Sequence, residues 1–225
     1  ALKHADLIVC EDTRHSGRLL AAHGISKPLS ALFMGRERSR TESALKQLED
    51  GKNVALITDA GTPAIQDPGF LLVRGAVEKG IPVTAVPGPC AAVMALTISG
   101  LPTDRYLFEG FLPVKTGARR KRIEAWKGIG CTVVVYESLY KLRRTLEDIE
   151  AVLGDVPIAV GRELTKKFEE VLRGRVSQIR KVYERQVSLR SFVEADDVAN
   201  TALFLASREG RMISGQILGV DGLAQ

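Results

Sequence analysis

An α/β fold with a mostly parallel first sheet is predicted by three observations. Apolar runs at "DLIVCE" (6–11), "NVALIT" (53–58) and "IPVTAV" (81–86) alternate with helix-length segments. The runs are apolar at nearly every position, as in strands covered on both faces. The chain then breaks at "GLPTD" (100–104), a hinge, and the alternation resumes.

The elements follow in order. The opening "ALKHA" reads as the tail of a helix whose preceding strand is absent. After the strand at 6–11, a helix runs to Ala22 and stops at Gly24. Ser39-x-x-Glu42 predicts a capping box opening a helix that ends near Gly51. The strand at 53–58 leads to Asp67 as N-cap, with Pro68 at the first helical position and Gly80 as the stop. The strand at 81–86 precedes a small-residue helix, "CAAVMALTIS" (90–99), closed by Gly100. Beyond the hinge, strands are predicted at 105–112, 132–138, 157–164 and 168–174. Helices are predicted at 117–127, 140–153 and 176–186. Asp196 and Asp197 open a small-residue helix through Ser207, and "QILGVDG" (216–222) reads as a final strand.

Composition narrows the function. No apolar run approaches the ~18 residues needed to cross a bilayer, and the start lacks a basic secretory leader. Cys10, Cys90 and Cys131 are odd in number and widely spaced, which fits a reducing compartment without disulfides or a zinc site. Three histidines, all near the start, make a multi-histidine metal centre unexpected. A cytoplasmic location is therefore expected. The net charge of +5 is uneven: residues 101–186 carry 18 Lys/Arg against 12 Asp/Glu, with a run at Arg119-Arg120-Lys121-Arg122. Such a surplus suits a polyanion, RNA above all; solvated helix faces are the alternative.

Ligands of open α/β sheets gather beyond the carboxyl ends of strands. Three such ends carry unusual residues: "CEDTR" with Glu11, Asp12 and Arg14; "TDAGTP" with Asp59, Gly61 and Thr62; and "VPGPCAA". Small residues there admit a ligand to backbone N–H groups, although "PGPC" also suits a plain tight turn. No Walker loop and no GxGxxG after a strand is present.

Taken in order, "ADLIVCEDTRHSGRLL", "ALITDAGTPAIQDPG", "PGPCAA", "SGLPTDRYLFEGFLP", "VVYES" and "GRELTKKFEEVLRG" closely resemble the bacterial 16S rRNA cytidine 2′-O-ribose methyltransferases, members of the tetrapyrrole-methylase superfamily. The resemblance covers residues 1 to about 178. It implies a two-domain α/β protein with a mostly parallel sheet in the first domain (1–100, lacking the family's first strand) and a mixed sheet in the second (101–180). It also implies a homodimer, S-adenosylmethionine as cofactor in a cleft between domains, 16S rRNA of the small ribosomal subunit as substrate, and no metal. By the same resemblance Asp59, Ala60, Gly61, Thr62, Pro63 and Ile65 form a cofactor loop. Cys90 and Ala91 give a second cofactor contact and Tyr136 a third. Glu11, Asp12, Thr13 and Arg14, with Lys166, form the polar rim facing RNA. Glu11 is the candidate base, and Arg14 or Lys166 would steady developing charge or grip phosphate. A structural ion pair between Glu11 and Arg14 is the alternative.

The sequence also departs from that family. Its Pro-Ile-Gly-Asn type opening loop is not seen, a histidine-containing stretch stands here as "ALFMGRERSR", and the usual Pro-His-Arg after "YES" is Leu139-Tyr140-Lys141. The tail, 181–225, instead resembles the end of short-chain dehydrogenases/reductases over about 183–222, without their TGxxxGxG opening or YxxxK pair. Three further functions are thus set beside the rRNA methyltransferase. They are a non-catalytic remnant that binds RNA or dimerises, a small-molecule methylase of tetrapyrrole type, and an oxidoreductase fragment.

Overall fold

The computed structural model describes residues 1–32 and 37–186, together with Ala199 and Leu203. The chain divides into two compact units, Ala1–Met94 and Ala95–Gln225.

In the first unit, β1 (Leu7–Cys10) is the middle strand of a parallel sheet, between β2 (Leu29–Ala31) and β3 (Val54–Leu56). Ile8 lies level with Leu29 on one side and Ala55 on the other. Its near-continuous apolar character has a direct cause. Successive strand residues point to opposite faces, and both faces are covered. Ile8 packs with Ala5 and with Leu20 of α1 (Thr13–Ala22). Val9 packs with Leu32, with Ala44 of α2 (Glu37–Glu49) and with Leu72 of α3 (Phe70–Glu78). Burying each such side chain stabilises the fold by about 1.5–3 kcal/mol. Asp12 caps α1, accepting from the Arg14 amide at 2.7 Å and the His15 amide at 3.4 Å. Gly24, Gly51 and Gly80, all at positive φ, follow the three helices as expected.

Three expectations for this unit are corrected. Ser39 is not a cap: α2 is already helical at Glu37, because Glu37 and Arg38 propagate the helix through the proposed boundary. Asp67 is not an N-cap either. Its carboxylate takes the Thr58 hydroxyl at 2.7 Å, and Gly69 caps α3 at φ +129°. A Cβ at Gly69 would stand 2.5 Å from Leu56 Cδ2, so only glycine lets α3 approach β3 this closely. Finally, residues 81–86 form no strand. Among the described residues β3 is paired only with β1, so this segment has no ladder to join, and Val83 and Val86 face solvent.

The second unit contains β4 (Tyr106–Phe111) parallel to β5 (Thr132–Tyr136), and an antiparallel pair, β6 (Pro157–Arg162) with β7 (Glu170–Arg175). Parallel and antiparallel pairings are thus both present. The division between units falls within α4 (Ala91–Ser99). Helices α5 (Thr116–Glu124), α6 (Leu139–Leu153) and α7 (Val176–Gln186) enclose a core of Leu112, Ile123, Trp126, Leu146, Ile149, Val176, Ile179 and Tyr183. The basic run on α5 is not a uniform solvated face. Arg119 is 3% exposed. It donates from Nε to Asp148 Oδ2 of α6 at 2.7 Å and to the Val114 carbonyl at 2.8 Å. Arg120 takes the other oxygen of Asp148 at 2.6 Å, and Arg122 pairs with Glu109 at 2.7 Å. Part of the positive surplus read from the sequence is therefore spent on internal pairing. No helix among the described residues is long and apolar enough to cross a membrane. The helix expected at 196–207 and the strand at 216–222 lie outside the described residues, apart from Ala199 and Leu203.

Candidate active site

Because β1 and β3 run parallel, the residues that follow them emerge at one edge of the sheet. Glu11 and Asp12 follow β1; Thr58 and Asp59 follow β3. Thr58 Oγ1 stands 2.7 Å from Asp67 Oδ2 and 3.3 Å from Glu11 Oε2. A hydroxyl has one hydrogen to give. The shorter contact goes to Asp67, which leaves Glu11 with oxygen lone pairs open to a further proton donor. Arg14 does not hold Glu11. Its guanidinium reaches Asp12 at 3.4 Å in an exposed pair, so the Glu11–Arg14 ion pair is corrected to Asp12–Arg14. The Arg14 amide first, and its guanidinium after it, hold the Asp12 carboxyl below its ordinary range. Beneath this edge Cys10 is fully buried, and burial pushes its thiol up. It is a packed thiol with Sγ 3.8 Å from the Ser30 carbonyl.

The loop after β3 has an unusual backbone. Gly61 (φ +80°), Ala64 (φ +68°) and Gln66 (φ +63°) are all left-handed, a conformation that costs L-residues about 1–2 kcal/mol each. Strain of this kind concentrates at ligand clamps. Asp59, Ala60, Gly61, Thr62 and Ile65 are exposed, with Pro63 half-buried. Thr62 Oγ1 donates to the Pro89 carbonyl at 2.8 Å. That bond ties the "DAGTP" loop to the "PGPC" turn, 27 residues away. Cys90 then accepts the Met94 amide at 3.0 Å as α4 begins at Ala91. Two stretches singled out separately in the sequence are thus one wall.

The remaining predicted residues lie in the second unit. Tyr136 ends β5 and packs edge-on to Phe108 (ring centroids 5.1 Å apart) and tilted against Phe111 (5.6 Å). Glu137 beside it accepts the Thr145 hydroxyl at 2.6 Å and the Ser138 amide at 2.7 Å. Lys166 belongs to the β6–β7 connection and pairs with Glu163 at 3.3 Å.

A family model for the tetrapyrrole (corrin/porphyrin) methylases matches residues 1–180. The chain belongs to the tetrapyrrole methylase family. Relatives of this tetrapyrrole methylase include two proteins named ribosomal RNA small subunit methyltransferase I. The one from Escherichia coli O157:H7 is 48% identical over 171 residues, which make up 76% of this chain and 60% of the relative. The one from Haemophilus influenzae is 47% identical over 176 residues, 78% of this chain and 62% of the relative. The chain therefore spans about three fifths of the length of these curated relatives. Among solved structures, the methyltransferase CobJ superposes with a TM-score of 0.57 at 17% identity, covering 77% of this chain and 76% of its own. That likeness speaks to the fold alone. A second family model, enoyl-(acyl carrier protein) reductase, matches residues 164–222 and so takes in the tail.

Sequence reasoning missed Thr58 and Asp67 as site residues of this tetrapyrrole methylase. Thr58 ends an apolar run, and Asp67 precedes proline in a pattern that also signals a cap. Only the pairing of β1 with β3 brings both to Glu11. Among the described residues no three His, Cys, Asp or Glu side chains converge to hold a metal ion.

Proposed function

We propose that this chain transfers a methyl group from S-adenosylmethionine to the ribose 2′-hydroxyl of a cytidine in 16S rRNA. The observation that carries the reading is the 48% identity, over 171 residues, to a protein named for methylating small-subunit ribosomal RNA. The residues at the sheet edge fit the cofactor. An exposed loop of small residues, Ala60 and Gly61, is locked by Thr62 to the turn that leads into Cys90 and Ala91. Such a wall offers backbone polar groups to a zwitterionic ligand at close range. When bound, S-adenosylmethionine supplies a methyl group already activated by its sulfonium. What the protein must add is alignment, chiefly a proximity effect, and removal of the hydroxyl proton. Glu11 is placed for the second task, with Thr58 orienting its carboxylate and Asp67 holding Thr58 from behind. Arg14, exposed beyond Asp12, is free to meet a phosphate by exchanging a weak surface pair. We assign the substrate to the small ribosomal subunit and the working form to a cytoplasmic homodimer.

A second reading is a non-catalytic protein that binds RNA through the same fold, which the 60% coverage of the relative keeps in play. The test is methyl transfer from labelled S-adenosylmethionine to small ribosomal subunits, followed by nuclease digestion and mass spectrometry. Label recovered as 2′-O-methylcytidine supports the enzyme. Bound cofactor and RNA without transfer supports the second reading. Label in a small tetrapyrrole, with none in RNA, defeats both.

A further inference from the structure

The connection between β6 and β7 leaves a large aromatic ring in water. Phe168 is 74% exposed, and the core of its unit closes without it. Lys167 Nζ lies 5.4 Å from the centre of this ring, in cation–π range. The neighbouring Lys166 is engaged only by Glu163, in an exposed pair. The loop that carries these groups is shaped rather than slack. Glu163 (φ +49°) and Thr165 (φ +66°) are left-handed without being glycine. Glu169 Oε2 accepts the Thr165 amide at 2.6 Å. The Lys166 amide reaches the Glu163 carbonyl at 2.9 Å, and the Glu169 amide reaches the Lys166 carbonyl at 3.2 Å. Below the tip, Arg162 and Glu170 close an unbroken antiparallel ladder.

We propose that this hairpin tip is a nucleotide-binding contact for unpaired RNA. Phe168 stacks on one splayed base while Lys167 leaves the ring to hold an adjacent phosphate. The inference rests on the RNA-binding reading above and deepens it by naming the form of RNA taken. An aromatic face accepts any base, but only one not already stacked in a duplex. A cation beside the ring supplies the backbone contact that such platforms combine with stacking. Both acids of the tip are occupied, Glu163 by Lys166 and Glu169 by the Thr165 amide, so neither opposes a phosphate at Lys167 as a free carboxylate.

The experiment titrates the full chain with a 12-nucleotide unpaired RNA and with a duplex of equal length. Phe168→Ala is expected to weaken the unpaired RNA by about five- to a hundredfold and to leave duplex binding unchanged. Phe168→Trp keeps the affinity, and its indole emission is quenched on binding. Lys167→Ala lowers the slope of log affinity on log salt by about 0.7, the loss of one single-strand phosphate contact. If the parent binds unpaired RNA and Phe168→Ala binds it equally well, the hairpin proposal falls and the RNA reading stands. If the folded parent binds neither RNA at low salt, both fall together. Quenching of the tryptophan variant by anionic lipid vesicles, with none by RNA, also overturns the proposal.

Discussion

Ala64 and Thr58 show how single positions report on this site. Ala64 sits at φ +68° in the loop after β3, where glycine is at ease and alanine is not. Ala64→Gly is therefore expected to stabilise the chain by roughly 0.5–1 kcal/mol. The same change at Ala44, buried in the middle of α2, should destabilise by at least ~1 kcal/mol. Urea unfolding of the two variants checks the opposite signs. Thr58→Val keeps the side chain's shape and removes the hydrogen that Asp67 and Glu11 share. It should cost about 1–2 kcal/mol and lower methyl transfer more than cofactor affinity; equal loss of both would argue that Thr58 serves packing alone. At this scale the sequence was legible in part. Asp59 to Pro63 stood out as a loop because glycine and proline mark turns locally. Thr58 did not, because its partners lie 47 and 9 residues away and only the parallel register joins them.

At the scale of elements, α5 and α6 are joined by a buried ion pair. Asp148→Ala leaves Arg119 charged, 3% exposed and unpaired there, at a cost of about 3–5 kcal/mol. Removing the exposed Arg74–Glu78 pair on α3 should change stability by no more than ~0.5 kcal/mol. Helix α7 is anchored differently: Asp155 accepts the Ser177 amide and hydroxyl, both at 2.9 Å. The Ser177 amide is the main reason its carboxyl lies below the ordinary range. A depressed carboxyl contributes stability above its unfolded pKa of about 3.9, and that contribution is lost as pH falls through the folded value. Tyr183, on the same helix, has the opposite sign, because burial pushes its phenol up. Its contribution is complete below about pH 10 and is lost as pH rises through the folded value. Urea midpoints across pH should therefore fall at both extremes. Asp155→Asn should flatten the acid limb alone, and Tyr183→Phe the alkaline limb alone. Strand and helix existence was largely readable from apolar periodicity, with ends shifted by one to three residues. The segment 81–86 was not. A strand is a relation between segments, and its apolar run says nothing of whether a neighbour is there to pair with it.

At the scale of the whole molecule, family and fold were legible because they rest on long blocks in fixed order, from "EDTR" to "GRELTK". The charge argument was less secure, since Arg119, Arg120 and Arg122 are committed to carboxylates within their own unit. RNA recognition therefore falls to exposed groups such as Arg14, Lys166, Lys167 and Phe168. The central claim is that the wall built by the Asp59–Ile65 loop and the Pro87–Ala91 turn holds S-adenosylmethionine. Titration calorimetry of the folded chain tests it most directly. Binding of one S-adenosylmethionine per chain with Kd of about 1–100 μM is expected, weakened roughly tenfold in Thr62→Ala, which loses one hydrogen bond between the two loops. A folded chain that takes up no S-adenosylmethionine at millimolar concentration, or a Thr62→Ala variant that binds as the parent does, would contradict it.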